Sequence, residues 1–285
     1  MFKYIYPLYP LYYIILYIKN KENYKSLQTK YCLFVAKNKA KCYNILCGGD
    51  AMEIEVKLSP VPQCIAEEIL SRDELFICET TVYTMEADYF DTPDVKLKKA
   101  GLSLRLRREN DRSVCCLKYR VSELARFEAE ENAQDIQSGV AALCARDDLP
   151  ESAKDVLRSA ELVPIYSSSF ERKCRLMVEG LSLIELSFDY GVLKQENRLL
   201  FISEIELELK EGNDDDLLEL TERLCNEYSI RPCKETKAQR AAALTEEAFA
   251  KMLPVPGDAL GVNDMFSGLF FAKTDGDKLT FYRKV

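Results

Sequence analysis

From Met52 onward the chain alternates. Met52-Glu53-Ile54-Glu55-Val56-Lys57-Leu58 sets charge on odd positions and apolar side chains on even ones, the period-two signature of a strand with one polar and one apolar face. Residues 102–107 put Arg105 and Arg107 on one side, and residues 114–120 group Cys116, Lys118 and Arg120. Phe170, Arg172 and Cys174 share a face, as do Glu185, Ser187 and Asp189. Glu204-Ile205-Glu206-Leu207-Glu208-Leu209-Lys210 then repeats the opening pattern, with Glu206, Glu208 and Lys210 spaced like Glu53, Glu55 and Lys57. Three matches are too few to make an internal repeat. Between the strands, helices are predicted over 62–72, 93–100 (stopped by Gly101), 150–162, 214–228 (opened by a run of Asp) and 237–252. Strands in clusters with helices between them predict an α+β fold with a mostly antiparallel sheet.

Any single strand of this kind is explained by a solvent-facing sheet surface. The set is harder to explain so, because acids gather on some strands and bases on others. Glu204, Glu206 and Glu208 stand about 7 Å apart along one face, given the strand rise, and three adjacent carboxylates repel unless cations lie opposite. A sheet closed with this face inward would bring acidic and basic strands together, although alternation alone does not establish closure.

Composition narrows the chemistry. The 285 residues are 47% hydrophobic, which is ample for a core in one large domain or two small ones, and they carry a formal charge of −8. That balance argues against a general nucleic-acid binder, and an acidic protein that takes an anion must hold its cations in one place. Eleven cysteines show no C-x-x-C spacing and read as reduced thiols of a cytoplasmic protein. There is no histidine. Ser-His and Cys-His nucleophiles and His-ligated zinc are therefore excluded, and catalysis must rest on carboxylates, Lys, Arg, Tyr, Cys or a metal held by oxygen.

Residues 1–51 differ from the rest. No arginine precedes Arg72, and the only acids before Ala51 are Glu22 and Asp50. Phe2 to Ile18 could be a weak signal anchor, but it contains Pro7 and Pro10 and falls short of the roughly 20 apolar residues that span a bilayer. Gly48-Gly49-Asp50 can be encoded by a ribosome-binding sequence just ahead of the Met52 codon. The expectation is therefore a non-native upstream extension, with no membrane contact.

The motifs of 52–250 resemble one family. Glu53-x-Glu55-x-Lys57 is similar to the ExExK opening of the CYTH superfamily, the triphosphate tunnel metalloenzymes. Tyr89-Phe90-Asp91-Thr92-Pro93, 100–107, Leu117-Lys118, Phe170-Glu171-Arg172, 185–191, 204–212 and Lys237-Ala238-Gln239-Arg240 follow in that family's order, with the bacterial inorganic triphosphatases the nearest branch. The resemblance implies a closed antiparallel eight-stranded β-barrel with flanking helices and a charged tunnel. It implies Glu53, Glu55, Glu206 and Glu208 as ligands of Mg²⁺ or Mn²⁺, and Lys57, Arg105, Arg107, Lys118, Arg172, Lys237 and Arg240 as phosphate-binding cations. Lys57, Glu53 and Glu55 are the expected catalytic group, and Glu128, Glu130, Glu185, Asp189 and Glu204 are supporting acids.

The implied activity is release of phosphate from tripolyphosphate or a related triphosphate. A class IV adenylate cyclase, a thiamine-triphosphatase and a non-catalytic polyphosphate-binding module are the alternatives. The partner is a small-molecule triphosphate rather than nucleic acid, with a homodimer left open. For individual residues the simpler readings are solvated charges for Lys237 and Arg240, plain neutralisation of arginines for Glu128 and Glu130, strand core for Cys115-Cys116, and packing for Tyr83, Tyr89, Tyr166 and Tyr190. Many members of the branch continue into a helical, histidine-bearing CHAD domain. Residues 251–285 do not match one and are read as a C-terminal tail.

Overall fold

The computed structural model describes residues 52–120, 125–159, 161–241, 243–256 and 270–283; the expectations for 1–51 fall outside them. Eight long strands form first: β1 (Met52–Leu58), β2 (Thr81–Asp91), β3 (Leu102–Glu109), β4 (Arg112–Arg120), β5 (Ala125–Asn132), β6 (Val163–Glu179), β7 (Ser182–Gln195) and β8 (Arg198–Glu211). All their pairings are antiparallel. The sheet runs β1-β5-β4-β3-β2-β6-β7-β8, and β1 also pairs with β8 from Ile54↔Leu209 to Leu58↔Ile205.

The sheet does not stop at eight strands. The stretch expected to be a tail supplies β9 (Leu253–Val255), β10 (Phe270–Asp275) and β11 (Lys278–Arg283), which continue the sheet beyond β8. β8 is long enough to serve two neighbours: residues 198–200 pair with β10, and 205–209 pair with β1.

Helices cover the apolar face. α1 (Gln63–Ser71) and α5 (Asp214–Tyr228) bring Ala66, Ile69, Leu217, Leu220 and Leu224 onto Val56, Leu58, Ile184, Leu186, Phe188, Ile205 and Leu207. On β3–β5, α3 (Ile136–Ala145) and α4 (Glu151–Arg158) pack Ile136, Leu143, Ala153 and Leu157 against Leu104, Leu106, Cys115, Leu117 and Ala129. Between α1 and α3 in sequence lies the short α2 (Lys96–Lys99), whose approach is fixed by the buried Asp91 carboxylate accepting from the Thr92, Leu97 and Lys98 amides. Because alternate residues of each strand are committed to these helices, Glu55, Lys57, Arg105, Arg107, Lys118, Arg172, Asp189, Glu204, Glu206 and Glu208 turn to the opposite face.

The predicted helix over 237–252 is two helices, α6 (Lys237–Ala241) and α7 (Glu246–Ala250). Thr245 restarts the turn by accepting the Ala248 amide on its side chain, as an N-cap does. α3 and β2 were not predicted. α3 opens on a reciprocal capping box between Asp135 and Ser138.

Candidate functional site

Register explains most of the charged face. Across β1, β8 and β7 it places Glu55 opposite Glu208 opposite Glu185, and in the next row Lys57 opposite Glu206 opposite Ser187. One row further, Glu204 faces Asp189, which faces Arg172 on β6. Directly opposed residues have Cβ atoms about 5 Å apart, so each row is a line of contacts.

The last two rows form one cluster. Lys57 Nζ donates to Glu206 at 2.5 Å and lies 3.8 Å from Glu204. Arg172 binds Asp189 through Nε and Nη2, both at 2.6 Å, and reaches Glu206 at 2.5 Å. From α6, Lys237 Nζ donates to Asp189 at 2.7 Å, to Glu206 at 3.0 Å and to Glu204, while Arg240 also donates to Glu204. Asp189 and Glu204 are wholly buried. Burial alone would raise the Glu206 carboxyl, but Lys237, Lys57 and Arg172 hold it well below the usual carboxylate range. Glu204 is lowered against the same burial by Lys237, Lys57 and Arg240. Burial works against the Lys237 ammonium, and Asp189, Glu204 and Glu206 more than offset it, so its pKa is raised.

β3, β4 and β5 carry a second cluster. Lys118 meets Glu128 at 2.7 Å, and Arg105 meets the same carboxylate at 3.4 Å. Arg107 bridges Glu130 at 2.7 Å and Glu109 at 2.6 Å. The Nε atoms of Arg105 and Arg107 are buried without a hydrogen-bond partner. Cys116 lies on this face and its thiol donates to Glu130 at 3.2 Å. Burial pushes that thiol up to about 11, which keeps it protonated and a donor to Glu130 in the metal-free protein. Tyr89, buried and stacked on Tyr166 at 4.2 Å, accepts from Arg105 at 3.3 Å. Its hydroxyl, raised by burial, is brought below the ordinary tyrosine value by Arg105, Lys237 and Lys118. Cations of both clusters thus act on one point.

Every expected cation therefore takes part in one of the two clusters. Lys237 and Arg240 are ion-paired and shielded, not solvated as the simpler reading had it. The first row stands apart: Lys210 Nζ is 2.7 Å from Glu208 and 3.7 Å from Glu185. Glu185 also accepts from Ser187 on one oxygen, while its Oε2 is buried without a partner. Lys210, Tyr89, Cys116 and Glu109 were not among the expected site residues. Lys210 was signalled by the Glu-x-Glu-x-Lys echo on β8 and Cys116 by sharing a face with Lys118, while Tyr89 stood in a family motif without a role. Among the described residues, the acids whose oxygens already lie close enough together to share a cation are Asp189 with Glu204 and Glu206, and Glu128 with Glu130 beside Cys116. The side chain of Glu53 is outside the described residues.

Further along β2, β6, β7 and β8 the same face turns apolar. Met85, Ala87, Tyr89, Tyr166, Phe170, Leu193, Leu200 and Ile202 pack against Ala241, Leu244, Phe249, Met252 and Phe271. Phe170 sits at the border, 5.0 Å beneath the Lys237 ammonium.

A family model described as the CYTH domain matches residues 51–242. The chain is 32% identical over 214 residues to an inorganic triphosphatase of Haemophilus influenzae, an alignment covering 69% of this chain and 56% of that protein. It thus spans little more than half the length of this relative. Among solved structures it is similar to a Hippeastrum protein described as a candidate adenylyl cyclase with a dominant triphosphatase activity (20% identity, 68% of this chain and 97% of that one, TM-score 0.44). A Pyrococcus horikoshii protein is similar at 17% identity over 66% of this chain and 96% of that one, with a TM-score of 0.43. No helix of the described residues is long and apolar enough to cross a membrane.

Proposed function

Because the chain belongs to the CYTH domain family, we propose that it is a metal-dependent triphosphatase that releases orthophosphate from inorganic tripolyphosphate. One observation carries the reading. Lys57, Arg172, Lys237 and Arg240, from three separate elements, converge within ion-pair reach of Asp189, Glu204 and Glu206 on one sheet face. Together with Arg105, Arg107 and Lys118 they make a charge density suited to a polyanion and to little else. The β1–β8 ladder supports reading the eight strands as a closed barrel with this face inward.

The donor set fits a hard cation. Glu55 faces Glu208, the orphaned Glu185 oxygen adjoins it, and carboxylate oxygens are what Mg²⁺ or Mn²⁺ prefers. Glu53, Glu55, Glu206 and Glu208 would hold the ion, which when bound neutralises phosphate oxygens and polarises the P–O bond. The arginine forks seat phosphate oxygens two at a time, and the unmatched Nε donors of Arg105 and Arg107 gain partners. Lys57, held by Glu206, acts as a charge rather than as a base. Water attacks the terminal phosphorus as the bridging P–O bond breaks, giving orthophosphate and pyrophosphate. Positioning and charge neutralisation drive such a transfer, so the missing histidine is no obstacle. The reading places the protein in the cytoplasm.

A cyclase would have to house a purine. The apolar stretch beside the cations is filled by the chain's own Leu244, Phe249, Met252 and Phe271, which favours the inorganic substrate. The test is phosphate release by the full chain from tripolyphosphate, ATP and thiamine triphosphate with Mg²⁺, Mn²⁺ or EDTA, beside Glu55→Ala. Metal-dependent release from tripolyphosphate that Glu55→Ala abolishes is expected. Absence of turnover, with polyphosphate binding that neither EDTA nor Glu55→Ala disturbs, would replace the enzyme by a binding module.

A further inference from the structure

The acids of this face fall into groups that differ in charge balance. Asp189, Glu204 and Glu206 are met by Lys57, Arg172, Lys237 and Arg240, so three carboxylates face four cations. The row Glu55–Glu208–Glu185 has Lys210 at its edge, bonded to Glu208 and close to Glu185. Glu185, 4% exposed, still keeps Oε2 without a hydrogen-bond partner. A buried carboxylate oxygen is rarely left so unless something else comes to it. Lys210 is itself 10% exposed, so its ammonium is turned onto the carboxylates and not out into solvent.

We infer that Lys210 is a tethered cation that competes with the divalent ion for Glu208 and Glu185, and so sets how tightly the protein holds its metal. The inference rests on the metal-dependent reading above and deepens it. Lys210 stands on the strand that carries Glu206 and Glu208, two residues from the second of these, and its four-carbon stem lets the ammonium swing away when the ion arrives. A lysine so placed offsets part of the acid row's charge in the metal-free protein. The ion then has to displace it, which weakens binding and makes it reversible. Lys210 is thus a positioning residue acting through Glu208.

The experiment is calorimetric titration of Mn²⁺, without substrate, into the wild-type protein, Lys210→Met and Lys210→Arg, with melting temperatures in EDTA and in saturating Mn²⁺. Lys210→Met removes the charge and keeps most of the bulk. It is expected to bind Mn²⁺ about tenfold more tightly, the screened remainder of one nearby unit charge. Its melting temperature should fall in EDTA and recover with Mn²⁺ by more than the wild type gains, while Lys210→Arg restores the wild-type affinity. Damage to the fold does not tighten metal binding, so a gain is specific to competition. Equal or weaker Mn²⁺ affinity in Lys210→Met would overturn the inference while leaving the enzyme reading intact, and a raised KM for tripolyphosphate at unchanged metal affinity would make Lys210 a phosphate ligand instead. A wild-type protein that takes up no Mn²⁺ would overturn the metal reading, and the competition with it.

Discussion

The β7–β8 acids and the β5 acids are both neutralised by Lys and Arg, but in different ways. Asp189 and Glu204 have no exposure, and their cations arrive from β1, β6 and α6. Glu128 and Glu130 are met by Lys118 from the adjacent β4 and by Arg105 and Arg107 from β3 beyond it, Glu130 retains some access to water, and two guanidinium Nε atoms are left unmatched. Full burial and two partners brought in by α6 make the first cluster a joint that ties that helix to the sheet. Cations supplied by the sheet alone, and partial access to water, make the second a surface ready for an anion. Removing a cation from the first should therefore cost stability and activity together. Removing one from the second should cost mainly affinity.

Lys237→Met tests this most severely. It strips one ammonium from three carboxylates, two of them without solvent. Breaking a buried ion cluster from one side typically costs about 3 kcal/mol or more, which in a domain of this size lowers the melting temperature by roughly 6–12 °C. Because Lys237 is also a proposed phosphate ligand, kcat/KM for tripolyphosphate should fall about a hundredfold. Thermal denaturation beside phosphate-release kinetics checks both. An unchanged melting temperature would show that the cluster is not a structural joint.

The same cluster fixes the pH response. The Glu206 carboxyl is lowered in the folded chain from an ordinary value of 4.5. Its contribution is therefore fully present above that pH and lost as pH falls through the folded value. Lys237 is raised from 10.5, so its contribution is present below that pH and lost only as pH rises beyond it. Stability should be flat between the two and fall on the acid side. Melting temperatures across that acid limb should drop steeply for the wild type and less steeply for Glu206→Gln, which has no proton to gain. Parallel curves for the two proteins would remove the cluster as the origin of the limb.

How much of this could be read beforehand follows from the range of each interaction. The alternation of 52–58 and 204–210 is local, so β1, β8 and their charged face were legible. The order of motifs gave the family, and with it the cations that the structure gathers. What was not legible depends on contacts far apart in sequence. Nothing near Lys237 announces that it will reach Glu204, 33 residues away. Nor does the interval 251–285 reveal that Phe271 will pair with Leu200. The split of 237–252 was legible in principle, since Thr245 is a good N-cap, but the apolar spacing on either side masked it. Lys210 had a signal in its spacing and lacked only the geometry that gives it a partner.

Arg107→Gln is the mildest cut and the one that separates the clusters. Arg107 bridges Glu109 and Glu130, both with some solvent access, so those acids can rehydrate when the guanidinium goes. The penalty should stay near 1 kcal/mol, within the range of partly exposed pairs, and the acid limb should keep its wild-type slope because the Lys237 cluster is intact. The loss should appear instead in substrate: KM for tripolyphosphate about tenfold higher, or roughly 1.4 kcal/mol of binding, with kcat moved much less. Steady-state kinetics on tripolyphosphate, paired with a melting curve, reads the two effects separately. If Arg107→Gln destabilised the protein as much as Lys237→Met and left KM untouched, the β3–β5 cluster would be the structural joint and the division between the clusters would have to be reversed.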